Sequence, residues 1–167
     1  EKIELLDLYG ADLRLVHATG YSDPNHYIHT ARRLAESLSE TEPNGAIWAR
    51  QFDNTANADI HETTTGQEIW TQTDGKVDGF ICAVGTGGTL AGVSRALKAH
   101  NKDIRIGLAD PQGSALYNYY THGELSGEGR SLAEGIGISL MTDNLRLADV
   151  DNAYQISDAE ALPYIFD

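Results

Sequence analysis

Apolar residues in this chain alternate between two rhythms. Short, near-continuous runs at Leu13–Val16, Ala46–Ala49, Val77–Val84 and Ile104–Ala109, with a weaker one at Ala153–Ile156, have the length and composition of β-strands. Between the first two, Asp23 as N-cap and Pro24 at the first helical position precede Tyr27, Ile28, Ala31, Leu34, Ala35 and Leu38. Their i, i+3/i+4 spacing predicts a helix lying on a sheet. Strands that are apolar along their whole length are buried on both faces, so the β–α–β order predicts an α/β fold with a mostly parallel sheet, helices on both sides and ligands at the carboxyl ends of the strands. The ends read differently. Residues Glu1–Tyr9 form a helix already under way, with no cap before it, and Ser157 with Glu160 makes a capping box for a helix that Pro163 would distort in its second turn. The pattern is that of a piece of a longer chain, which leaves Leu5, Leu8, Leu162, Ile165 and Phe166 facing water.

The strand ending at Val84 runs straight into Gly85-Thr86-Gly87-Gly88-Thr89, and a helical pattern begins near Thr89. Glycines allow a tight turn and a close backbone approach, and the first N–H groups of the following helix, with its positive end, face whatever lies there. Such a turn suits a phosphate without a lysine or arginine. It is not the dinucleotide fingerprint: Gly85 and Gly87 match its first part and Asp110 lies where a ribose-binding acid is wanted, but Leu90 fills the third glycine's place, and Gly88 and Gly92 are out of register. No Gly-Lys-Ser/Thr follows, so it is not a P-loop either.

Composition narrows the partners. Twenty-five acidic residues against twelve basic ones give a formal charge of −13, which opposes binding to nucleic acid. There is no 18-residue apolar run and no basic segment leading an apolar one, so neither membrane insertion nor secretion is indicated and a cytoplasmic location is expected. Cys82, the only cysteine, lies in an apolar strand and reads as a buried small hydrophobe, and the six histidines form no metal-ligand constellation.

Five motifs, in order, resemble cysteine synthase (O-acetylserine sulfhydrylase), of the tryptophan-synthase-β-like pyridoxal phosphate family. They are Gln51–Asn57, Ile60–Trp70, Gly85–Thr89, Leu108–Ser114 and Glu134–Gly137, and Leu5–Leu13 resembles a helix-to-strand segment of the same enzymes. The resemblance implies a three-layer α/β fold, present in part: residues 1–50 would be the second half of a small mobile domain and 51–167 the first part of the large domain that holds the cofactor phosphate. It implies pyridoxal 5′-phosphate as cofactor, held by Gly85, Thr86, Gly87, Gly88 and Thr89 through backbone N–H groups and the two hydroxyls. It places Gly135, Ile136 and Gly137 beside the cofactor ring and Gln51 facing the substrate carboxylate. It also implies O-acetylserine and sulfide as substrates, L-cysteine as product and a homodimer. The family's Schiff-base lysine and its Thr-Ser-Gly-Asn-Thr loop lie upstream of Glu1, and its serine at the pyridine nitrogen lies downstream of Asp167, so no catalytic residue is assigned and the chain alone is expected to be inactive. Lys2, Lys76, Lys98 and Lys102 are outside the lysine motif. The run Ile138-Ser139-Leu140-Met141 departs from the polar residues often found there. Alternatives are a cystathionine β-synthase, from which Thr64–Trp70 leans away, and a non-catalytic phosphate-binding or interaction module.

Overall fold

The structure, a computed structural model, describes residues 1–166, with nothing described for the side chain of Phe166. It divides into two compact units, Glu1–Ala49 and the remainder from Arg50 onward.

The first unit holds two helices, α1 (Lys2–Leu8) and α2 (Tyr27–Thr41). The apolar runs 13–16 and 46–49 form no strands. An apolar run gives a segment the capacity to pair, but ladder bonds need a neighbouring strand, and here Leu15 and Ile47 stay 71% and 94% exposed. Helix α2 starts later than Asp23 predicts. The Asp23 carboxylate instead accepts from Asn25 N at 2.7 Å in a local turn containing Pro24, and His26 becomes the cap, its Nδ1 accepting from Ile28 N at 3.3 Å.

The second unit is built on a three-stranded parallel sheet in the order β1 (Gly79–Ala83), β2 (Arg105–Pro111), β3 (Asn152–Ile156). Its register pairs Cys82 with Leu108 and Leu108 with Ala153. Helix α5 (Gly88–His100) crosses from β1 to β2, preceded by α3 (Ala56–Thr63) and α4 (Thr65–Gln72), and α6 (Leu116–His122) follows β2. The core forms where Leu90, Val93 and Leu97 of α5 meet Val84, just past β1, and Ile106 and Leu108 of β2, closed by Leu116 and Leu145. On the alternate positions of the sheet, Ile81 packs over Gly107 but remains 55% exposed, and Tyr154 remains 49% exposed.

The stretch 60–70 is two helices, broken at Thr64 (φ −120°, ψ −79°), and both pack on α5. Close packing there depends on glycine. A Cβ at Gly66 would collide with that of Ala96, and one at Gly92 would meet the Ala58 carbonyl and the Glu62 N–H. Near the end of the chain the Ser157–Glu160 capping box forms as the sequence predicts. The helix it opens, α7 (Asp158–Ala161), stops before Pro163, which instead starts α8 (Pro163–Phe166). Among the described residues no helix is long and apolar enough to cross a membrane.

Candidate functional site

The glycine turn lies at the carboxyl end of β1. Gly87 caps α5 with a left-handed backbone (φ 89°), and the cap has no side-chain partner and no acid in the first turn after it. The N–H groups of that first turn therefore have no intrahelical acceptor and no competing carboxylate. The loop 135–137 is folded directly against it. Gly137 N donates to Val84 O at 2.8 Å, and a Cβ on Gly85 would sit 2.5 Å from the Gly135 carbonyl. Two motifs fifty residues apart thus meet at one strand end.

The glycines work differently from the sequence reading, in which they clear room for a ligand. A Cβ on Gly87 would lie 2.6 Å from Leu145 Cβ, and one on Gly88 would collide with the Asn57 side chain. They let protein groups close in behind the turn. Thr86 is held on both sides: its carbonyl accepts from Thr142 Oγ1 at 2.7 Å, and its hydroxyl accepts from Asn57 Nδ2 at 2.8 Å and weakly from Gly88 N at 3.4 Å. Thr89 Oγ1 lies 3.1 Å from His61 Nε2.

Gln51 is fixed through its backbone, and its side chain is exposed. The buried Asn144 donates its Nδ2 to the carbonyls of Gln51, Phe52 and Asn54 at 3.2, 3.0 and 3.2 Å, while its Oδ1 accepts from Ala58 N at 3.2 Å. Thr142 closes the junction by accepting from Leu145 N at 2.9 Å. One short stretch, 142–145, therefore shapes both the glycine turn and the Gln51 loop. Sequence reasoning missed Asn57, Thr142, Asn144 and Leu145. The one signal available for the first was that Asn57 and His61 stand one helical turn apart in the segment before the glycine turn.

Asp110 is not a ribose ligand. It is fully buried, and its Oδ2 accepts from Tyr117 N at 2.8 Å at the start of α6. Its Oδ1 is buried without a hydrogen-bond partner, and the neighbouring Ser114 hydroxyl donates to Ile138 O at 2.9 Å. Burial raises this carboxyl above its ordinary range, against the pull of its hydrogen-bond donors. Cys82 is partly buried, and desolvation pushes its thiol up to about 11, which suits packing rather than chemistry. Among the described residues no cluster of His, Cys, Asp and Glu could hold a metal ion. A cavity of about 300 Å³ beside the 135–137 loop, lined by Gln112, Ser114, Arg130, Ser131 and Ile136 among others, includes none of the glycine-turn residues.

The profile of the family described as "Pyridoxal-phosphate dependent enzyme" matches residues 1–165. The chain belongs to that family. Within the pyridoxal-phosphate-dependent enzymes it is 45% identical over 170 residues to cysteine synthase 1 of Emericella nidulans, covering 99% of this chain and 45% of that one. It is 39% identical over 165 residues to cysteine synthase A of Escherichia coli, covering 97% and 49%. Among solved structures, an O-acetylserine dependent cystathionine beta-synthase from Helicobacter pylori matches with a TM-score of 0.73 and 29% identity, over 98% of this chain and 49% of that one. The chain spans about half the length of the relatives it matches. The donor set at the glycine turn fits this family's cofactor: uncharged N–H groups at a helix start, two threonine hydroxyls and no acid in the first helical turn are what a phosphate ester needs.

Proposed function

We propose that the chain is the phosphate-holding part of a cysteine synthase, which forms L-cysteine from O-acetylserine and sulfide by β-replacement. The observation that carries the proposal is the apposition of the Gly135–Gly137 loop and the Gly85–Thr89 turn at the end of β1. It brings together the two segments that the family resemblance assigns to one cofactor. Similarity to cysteine synthases along almost the whole chain supports the same reading.

Bound pyridoxal 5′-phosphate supplies an electron sink at the substrate's α-carbon. The residues here do other work. Gly85, Thr86, Gly87, Gly88 and Thr89 bind the phosphate with N–H and hydroxyl donors, Gly135, Ile136 and Gly137 run beside the ring, and Gln51 orients the substrate carboxylate. Among the lysines, Lys98 faces Asp149 and Asp151 at 3.3 and 2.9 Å and is no candidate for bonding the cofactor. Residues 1–50 belong to the small mobile domain and those from 51 onward to the large one, in a cytoplasmic homodimer.

The test is an assay of the full-length protein for cysteine formation from O-acetylserine with sulfide and, separately, with a larger thiol. Turnover with sulfide is expected to dominate. Preference for the larger thiol would favour the cystathionine β-synthase reading, to which the similarity with the Helicobacter pylori enzyme lends weight. Retention of cofactor with no turnover of O-acetylserine would leave a phosphate-binding module.

A further inference from the structure

Of all residues from Val84 to Ser94, Thr89 alone is exposed, and it occupies the second position of α5. Thr86 lies half-buried just before the cap. Behind each of these hydroxyls stands a nitrogen from one face of α3. Asn57 Nδ2 donates to Thr86 Oγ1 at 2.8 Å, and one helical turn further on His61 Nε2 lies 3.1 Å from Thr89 Oγ1. The far side of the imidazole is held too, with Nδ1 2.8 Å from Thr65 Oγ1.

A threonine hydroxyl has a single hydrogen, and the group behind it decides where that hydrogen goes. Asn57 settles the matter for Thr86, whose oxygen accepts from behind and whose hydrogen is left for an acceptor in front of the turn. At Thr89 the outcome depends on the imidazole. With the proton on Nε2, Thr65 donates to Nδ1, Nε2–H donates to Thr89, and the Thr89 hydrogen is offered outward. With the proton on Nδ1, Thr89 donates backward to Nε2 and turns lone pairs toward the front, where a phosphate oxygen would be repelled.

We infer that α3 is a backing helix for the phosphate turn and that His61 is a positioning residue, carrying its proton on Nε2 so that Thr89 stays a donor to the cofactor phosphate. Gly92 makes the arrangement reachable. A Cβ there would lie 2.6 Å from His61 Cβ and would collide with the Ala58 carbonyl, so only glycine lets the last turn of α3 settle on α5. Nearby side chains are otherwise engaged: Arg95 pairs with Asp59 at 3.4 Å and Glu62 at 2.7 Å, and His100 Nε2 lies 2.8 Å from Gln67 Oε1.

The inference rests on the phosphate-turn reading, and the experiment separates the two. Cofactor-free full-length protein is titrated with pyridoxal 5′-phosphate and with pyridoxal, which lacks the phosphate. His61→Phe keeps a ring in place and removes both nitrogens. It is expected to raise the Kd for pyridoxal 5′-phosphate about tenfold while leaving that for pyridoxal unchanged. His61→Gln, whose amide restores a donor, should recover most of the loss. Thr65→Val, which releases the Nδ1 side, should show a smaller loss confined to the phosphorylated ligand. If His61→Phe prefers the phosphorylated ligand as strongly as wild type does, or loses both ligands equally, the inference is overturned and the turn reading stands. If wild type does not distinguish the two ligands, the turn reading falls and takes this inference with it.

Discussion

Gly87 meets two demands at once, a left-handed backbone and the absence of a side chain against Leu145. Gly87→Ala should therefore act from behind the turn, by strain and collision, at a cost of about 1–3 kcal/mol. The expected outcome is a lowered Tm that falls together with cofactor affinity. Thr86→Val keeps the shape and removes one hydroxyl, so it should weaken cofactor binding about tenfold with a much smaller loss of Tm. Thermal melts with and without excess pyridoxal 5′-phosphate distinguish the two, and equal melting shifts for both variants would contradict this division of roles. The glycine turn was legible in sequence because glycine density is a local signal. Asn57, Thr142 and Asn144 were not, because each acts on a partner between 29 and 93 residues away, and spacing along a chain carries no record of such pairs.

Among the elements, β1, β2, β3 and α5 could be read from the sequence, since each is an apolar run or stripe satisfied within one sheet layer. The break at Thr64 could not, because the stretch 60–70 keeps helical composition throughout and the interruption follows from seating two short helices on α5. Nor could the unpaired state of 13–16 and 46–49, which turns on having a neighbouring strand. The junction of α5 with the sheet offers a test of its own. Asp151 Oδ2 accepts from Ile106 N at 2.7 Å and lies 2.9 Å from Lys98 Nζ. The bond from Ile106, and after it the one from Lys98, lowers the pKa of this carboxyl below its ordinary value. A folded-state pKa below the unfolded one stabilises the protein at neutral pH, and that contribution disappears as pH falls below about 3.9 and through the folded value. Asp151→Asn should cost about 1–3 kcal/mol near neutrality and flatten the acid limb of the stability curve. Urea melts from neutral pH into the acid limb would show it, and an unchanged acid slope would mean that Asp151 has no part in the acid sensitivity of the fold.

At the scale of the molecule, much apolar surface faces solvent: Leu8, Ile47, Tyr164 and Ile165 are 80%, 94%, 85% and 70% exposed, and Leu5 and Leu162 join them. The side chain of Phe166, expected to be exposed with them, lies outside the described residues. Covering even ~400 Å² of such surface is favourable by about 10 kcal/mol, comparable with the stability of a whole domain. The 167-residue chain on its own should therefore self-associate at micromolar concentration, and a single sedimenting monomer would show that these residues find cover within the chain. The junction at Asn144 has a further consequence, for the order of events during synthesis. The turn at 85–89 is shaped by Gly135, Thr142 and Leu145, and the Gln51 loop by Asn144, so neither can take its final form while the ribosome is still short of residue 145. The turn is thereby completed only after the sheet's first two strands and their crossover helix have already been made.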